Sequence, residues 1–210
     1  WKEPTGEIPN GLPIDFEDEF AFRSFDGGEI SVISNPDTNG NESSMVAQLV
    51  KGAGQPWAGS VISSTGAPYA LSEGMTITAK VWSPRAGQEI LMKYEDNTPW
   101  PDTKATADAI ATTTVANAWE ELTWTLTGVD NALEYYNMVL IMDNGTVGDG
   151  SANYTVYLDD FSVASYLDFE APYSLSSFDG GDISVIDNPD SNGNTSSKVA
   201  QVVKGAGQPW

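Results

Sequence analysis

Apolar and polar residues alternate with a period of two along most of the chain, as they do in half-buried β-strands. In residues 75–82 (MTITAKVW) the apolar side chains fall on one face: Met75, Ile77, Ala79 and Val81. Clusters of Gly, Pro, Asn and Asp separate such segments. The pattern predicts strands over 14–17, 30–34, 44–50, 59–64, 75–82, 89–95, 108–115, 120–127, 137–143 and 154–163. About ten strands without a sustained helix predict an all-β fold, a two-sheet antiparallel β-sandwich of the jelly-roll type.

The chain also contains an internal repeat. Residues 178–210 match residues 25–57 at 27 of 33 positions, at an offset of 153 residues. This offset is too long for a solenoid repeat of about 20–50 residues, so it indicates tandem modules. We predict an irregular lead-in at 1–13, a complete jelly-roll module at 14–166 and an incomplete second copy at 167–210, which matches 14–57. Because 167–210 cannot close a sandwich alone, we expect strand exchange with a neighbouring copy.

Composition narrows the classes of function. The net charge of −21 and the pI near 4.1 argue against nucleic acid as a partner, because phosphate binding needs a basic surface. The absence of cysteine and histidine excludes disulfides, thiolate metal sites and Ser-His-Asp catalysis. We expect no membrane insertion, since no apolar run reaches membrane-spanning length. The chain starts at Trp1, and we expect it to be a mature or excised piece.

Carboxylates gather at the two ends of the complete module. Glu17 belongs to the first predicted strand and Asp159 and Asp160 to the last, and such strands are often neighbours in a jelly roll. Clustered carboxylates repel one another unless they are neutralised. Calcium prefers oxygen ligands, and Asn39 and Asn41 in the following loop would add more of them. The alternative is a solvated acidic edge.

These carboxylates could also be proposed as the catalytic pair of a glycosidase. They lie on terminal strands, however, and Asp15 and Glu17 recur in the incomplete copy as Asp168 and Glu170. We therefore predict that the protein is not an enzyme.

Several aromatic residues are candidates for ligand contact, because sugar rings stack on exposed aromatic faces. Trp82 shares a polar strand face with Lys80, Trp100 lies between two prolines in a polar loop, and Trp57 closes a glycine-rich bend. Tyr94 is a further candidate. For the tryptophans the alternative is packing beneath a loop or against the surface.

The order "IDFE … GNESSMVAQLV … W … ANAWEELTWTLTG … NMVLIMDNG … YLDDFSV" resembles the β-jelly-roll carbohydrate-binding modules of families four, sixteen and twenty-two. It is similar as well to related modules of polysaccharide-degrading Bacteroidetes, over residues 14–164. The resemblance implies a secreted or cell-surface module that binds a polysaccharide, most often a β-glucan such as laminarin. It also implies a structural calcium ion held by Glu17, Asp160 and the loop from Asn39 to Ser44. Trp82 would fit a site on the concave sheet, and Trp100 a site at the loop edge.

Two functions remain open from the sequence. The first is a non-catalytic carbohydrate-binding module whose tandem copies raise avidity. The alternative is a structural repeat of a surface adhesin or fibre, whose jelly rolls are spacers without a glycan ligand. Exposed rings at Trp82 and Trp100 with open space beside them favour the first, and buried rings favour the second.

Overall fold

The computed structural model describes residues 11–18, 20–164, 175–190 and 197–205, in two compact units, Trp1–Ala164 and Ser165–Trp210. The first unit contains β1 (Ala21–Phe25), β2 (Gly28–Ser34), β3 (Met45–Lys51), β4 (Gly59–Ser63), β5 (Thr76–Ser83), β6 (Glu89–Glu95), β7 (Ala109–Thr112), β8 (Ala118–Thr125), β9 (Asn137–Met142) and β10 (Thr155–Val163). A short 3₁₀ turn (Ala152–Tyr154) precedes β10. Within the described ranges, no helix is long and apolar enough to cross a membrane.

Two five-stranded antiparallel sheets form the first unit. The front sheet has the strand order β1-β4-β9-β6-β7, and the back sheet has the order β2-β3-β10-β5-β8. The core lies between them. The apolar residues of the alternating pattern fill it as predicted: Ile77, Ala79 and Val81 of β5 are buried. Trp124 is buried as well, and its indole Nε1–H donates to the Ile90 carbonyl at 2.8 Å. The all-β two-sheet prediction is confirmed.

The beginning of the sandwich differs from the prediction. Residues 14–17 do not form a strand; Ile14 makes a single antiparallel bridge with Phe161, with two backbone hydrogen bonds of 2.8 Å. Extension stops there because Phe16 has a φ of 58°, outside the β region. The unpredicted strand β1 follows instead and forms the edge of the front sheet.

The second unit contains a β-hairpin of β11 (Gly181–Asp187) and β12 (Lys198–Lys204). Its register, from Gly181 opposite Lys204 to Asp187 opposite Lys198, repeats that of β2 and β3 after the offset of 153 residues. Much of the predicted second copy lies outside the described residues: 165–174, 191–196 and 206–210. The module boundaries and the strand exchange through 167–210 stay predictions.

Candidate functional site

A groove of about 1010 Å³ runs over the outer face of the front sheet. Its floor is a hydrophobic cluster separate from the main core, formed by Val61, Leu91, Val139 and Ile141 with Phe25 packed against them. Val61, Leu91, Val139 and Ile141 are only 1–6% exposed, so other side chains of the groove already cover most of this floor, and the large apolar surface open to a ligand is that of the exposed Trp57 and Trp100. The groove is therefore the principal candidate site.

Strand register arranges polar groups around this floor. Arg23, Val61, Val139 and Lys93 are successive cross-strand partners, so a cation lies at each end of an apolar pair. The neighbouring row is polar, and in it the Ser63 hydroxyl donates to Asn137 Oδ1 at 2.8 Å. The floor thus combines an apolar platform with hydrogen-bonding groups at its margins.

Two tryptophans lie at opposite rims of the groove. β4 and β6 run parallel to each other because both are antiparallel to β9. Trp57 comes just before β4 begins and Trp100 follows the end of β6, so the two side chains lie at opposite ends of the strands. Trp57 is 51% exposed and Trp100 is 87% exposed. A ligand that crosses the strands would have an aromatic ring on each side.

Hydrogen bonds hold the turn that carries Trp57. Its indole Nε1–H donates to Asp26 Oδ2 at 2.7 Å. The buried ammonium of Lys51 donates to the carbonyls of Pro56, Met142 and Asp143 at 2.7–3.0 Å. These bonds fix the backbone beside Trp57 and leave half of its ring open to solvent.

Asp96 organises the loop that carries Trp100. Its carboxylate accepts the Thr98 backbone N–H at 3.1 Å, the Thr98 hydroxyl at 2.6 Å and the Lys104 backbone N–H at 3.0 Å. Burial alone would raise the pKa of Asp96, but the hydrogen bonds from Thr98 and Lys104 outweigh it and lower this pKa. The ionised carboxylate therefore holds the backbone of the loop that carries Trp100.

The charges in the groove favour an uncharged ligand. Two cationic and four anionic side chains line it: Arg23, Lys93, Asp26, Glu95, Asp96 and Asp108. Lys93 is neutralised by Glu95 at 2.9 Å, and Asp26 and Asp96 are engaged by the rim contacts given above. An anionic ligand would meet a net negative surface on a protein of net charge −21.

The residues predicted to bind a ligand separate into three places. Trp57 and Trp100 line the groove. Tyr94 is fully buried beside Tyr69, so its prediction as a ligand residue is wrong: the inward face of β6 carries it into the core. Trp82 and Lys80 belong to β5 in the back sheet, away from the groove.

Trp82 is half-buried against the loop of residues 35–44, which favours the packing alternative over a sugar platform. Its Nε1–H donates to Asp37 Oδ2 at 3.1 Å, and its ring centroid lies 5.1 Å from that of Tyr157. The residues that sequence reasoning missed are those of the groove floor. One signal was available: β4 and β9 are apolar at consecutive positions, which indicates burial on both faces of a sheet.

The residues predicted to bind calcium have other partners. Glu17 Oε1 accepts the backbone N–H groups of Ser44 and Met45 at 2.8 and 2.9 Å. Asn39 is exposed, and its backbone N–H donates to Asp37 Oδ1. Within the ranges that the structure describes, no three carboxylate, imidazole or thiol side chains are grouped as a metal site.

The remaining candidates form a hydrogen-bonded network. Asn41 Nδ2 donates to Asp159 Oδ2 at 2.6 Å, and the Lys80 ammonium lies 2.8 Å from Asp160 Oδ2. Burial raises the pKa of Asp159, and hydrogen bonds from Asn41, Ser43 and the Asp160 backbone oppose the rise. Because N–H donors and an ammonium occupy these oxygens, the donor set does not fit a calcium ion.

No protein-family model and no curated protein sequence matches this chain. Among solved structures it is similar to the CBM22-2 xylan-binding domain of Paenibacillus barcinonensis Xyn10C, with 15% identity and a TM-score of 0.50. That alignment covers 73% of this chain and 98% of the domain.

The arabinose-bound α-L-arabinofuranosidase MgGH51 gives 16% identity and a TM-score of 0.49 over 68% of this chain, which spans only 23% of the enzyme's length. The family 11 carbohydrate-binding module of Clostridium thermocellum Lic26A-Cel5E gives 12% identity and a TM-score of 0.48 over 77% of this chain and 97% of the module. The chain thus has a distant structural similarity to β-sandwich carbohydrate-binding modules.

Proposed function

We propose that the first unit is a non-catalytic module that binds a neutral polysaccharide in the groove between Trp57 and Trp100, in a secreted or cell-surface protein. The observation that carries this proposal is the placement of two exposed tryptophans at opposite rims of one apolar floor. Sugar rings present apolar C–H faces that stack on indole rings, while their hydroxyls need polar partners nearby. Arg23, Lys93 and Asp108 supply such partners along the same groove.

A β-glucan such as laminarin is the first ligand to test, followed by xylan. The first follows from the sequence resemblance, and the second from the xylan-binding domain of similar fold. The net negative lining argues against polyuronates, because their carboxylates would face Glu95 and Asp108 without a full set of counter-charges.

Affinity gel electrophoresis of the full chain tests the proposal with laminarin, mixed-linkage β-glucan, xylan and polygalacturonate. We expect retardation by at least one neutral glycan and none by polygalacturonate. Trp100→Ala and Trp57→Ala remove the rim platforms, and each should weaken binding at least about tenfold, as truncation of a central aromatic anchor does. Incubation with the bound glycan should release no shorter oligosaccharides.

Trp82→Phe is the matched control, since it changes a tryptophan on the opposite sheet. It should leave the affinity unchanged. If no neutral glycan retards the chain, or if Trp82→Phe weakens binding as much as Trp100→Ala, the groove is not the binding site. Of the two rings that separate glycan binding from a spacer function, Trp100 is 87% exposed, which favours binding, whereas Trp82 is half-buried and does not favour it.

A further inference from the structure

Hydrogen bonds connect the loop of residues 35–44, which joins β2 to β3, to its surroundings at several points. The indole Nε1–H groups of Trp82 and Trp119 donate to Asp37 at 3.1 and 2.6 Å. Glu17 accepts the backbone N–H groups of Ser44 and Met45 at the far end of this loop. Between these anchors the 35–44 loop lies over the end of the sheet where the carboxylates gather.

Lys80 makes the central contact between the 35–44 loop and the back sheet. Its ammonium lies 2.8 Å from Asp160 Oδ2 and 3.3 Å from Asn41 Oδ1. The other end of the Asn41 amide donates to the buried Asp159 carboxylate. One cation therefore connects the 35–44 loop to both consecutive carboxylates, directly to Asp160 and through Asn41 to Asp159.

The register of the back sheet explains why these groups meet. Asp159 is the cross-strand partner of Lys80, and the pairing shifts between Asp159 and Ser162. Asp160 lies in this irregularity with a φ of 51°, a left-handed conformation of the kind found in β-bulges. The bulge lets two consecutive residues direct carboxylates to the same side of β10, where the side chain of Lys80 reaches them.

We propose that the Lys80 ammonium replaces the structural calcium ion that the sequence resemblance implies, so that the sandwich folds and holds the 35–44 loop without calcium. An ammonium donates up to three hydrogen bonds, and two oxygens of the predicted ligand set already accept from Lys80. A calcium ion needs six to eight oxygens and would be repelled by this ammonium at a few ångströms. The inference does not depend on glycan binding, because Lys80 and the groove belong to different sheets.

Thermal unfolding of the full chain tests this inference. We expect the melting temperature of the wild-type protein, followed by near-UV circular dichroism, to change by less than about 1 °C between EDTA and millimolar CaCl₂, because a ligand that does not bind the native state gives no shift. Lys80→Met removes the charge and keeps most of the side-chain length. It should lower the melting temperature by about 2–4 °C, since the pair is partly exposed.

Two further variants separate the charge from general effects of substitution. Lys80→Arg keeps a cation and should recover most of the lost melting temperature. Lys204→Met removes a lysine of the second unit and should leave the melting temperature of the sandwich unchanged. The inference is wrong if calcium raises the wild-type melting temperature by several degrees. It is equally wrong if calcium leaves the wild-type melting temperature unchanged but Lys80→Met has the same melting temperature as the wild type, because the ammonium then does not stabilise the fold.

Discussion

The indole of Trp57 and the carboxylate of Asp26 are joined by a 2.7 Å hydrogen bond at one rim of the groove. Asp26 has a φ of 54°, which Asp and Asn tolerate better than most residues. The bond directs the Trp57 ring without burying it, so part of the ordering cost of ligand binding is met before the ligand arrives. The rim is thus positioned by a residue whose own role is to orient the aromatic side chain.

Loss of this acceptor should weaken glycan binding. Asp26→Gly keeps the positive φ accessible and removes the acceptor. We expect the dissociation constant for the glycan that the wild-type protein binds to rise about three- to tenfold. Asp26→Asn keeps both the backbone preference and an acceptor oxygen, and should bind like the wild type. Calorimetry gives the constants, and the Trp57 indole resonance in an NMR spectrum reports on the hydrogen bond without ligand. Equal affinity in the two variants would show that the bond does not position the ring.

The loop of Trp100 should loosen in acid. Hydrogen bonds from Thr98 and Lys104 hold the pKa of Asp96 below its usual value, so the folded loop prefers the ionised carboxylate. A carboxylate with a lowered pKa stabilises the fold above its unfolded pKa of about 4, and this contribution is lost as the pH falls through the lower folded pKa. We therefore expect the backbone amides of Thr98 and Lys104 to lose protection from hydrogen exchange below about pH 4.

Asp96→Ala is the matching variant, because it removes both acceptor oxygens at every pH. Its Thr98 and Lys104 amides should be poorly protected at neutral pH, with little further change in acid. An amide in the other sheet, that of the buried Ile77 near the start of β5, is the internal reference. If the Thr98 and Lys104 amides exchange alike in the wild type and in the variant at neutral pH while the reference amide stays protected, the carboxylate does not hold the loop.

Much of the strand layout could be predicted from the sequence, whereas the site could not. The hairpin register is encoded locally, since β2–β3 and β11–β12 pair identically in two units. The burial of equivalent residues is not encoded locally. Leu49 is 2% exposed, whereas its counterpart Val202 is 74% exposed. The reason is that β3 pairs with β10 as well as with β2, whereas β12 pairs only with β11 among the described strands. Alternation correctly directs Trp82 outward, but only tertiary contacts show that the 35–44 loop covers it. The groove floor comes from four strands distant in sequence, which no local pattern brings together.

The repeat places a glycine at the same hairpin position in both units, Gly28 and Gly181, so the packing at these two positions can be compared. A Cβ added to Gly28 would lie 2.2 Å from the carbonyl oxygen of Gly59 and 2.6 Å from its carbonyl carbon, where β2 crosses β4. At the equivalent Gly181 the nearest heavy atom, the carbonyl oxygen of Phe178, would be 3.2 Å away. Backbone atoms cannot yield as side-chain ends do, so Gly28→Ala must shift one strand against the other. We expect it to reduce the free energy of unfolding of the sandwich by about 3 kcal/mol, the upper part of the range for overpacked sites.

Gly181→Ala should leave the unfolding of the sandwich unchanged, because position 181 belongs to the other unit. Urea unfolding of both variants, followed by intrinsic tryptophan fluorescence, to which the buried Trp124 contributes, measures the difference. A comparable loss in both variants would mean that the cost is general to alanine at this hairpin position. A loss confined to Gly28→Ala assigns it to the contact with Gly59, the first residue of β4, and shows that the close approach of β2 to β4 stabilises the sandwich.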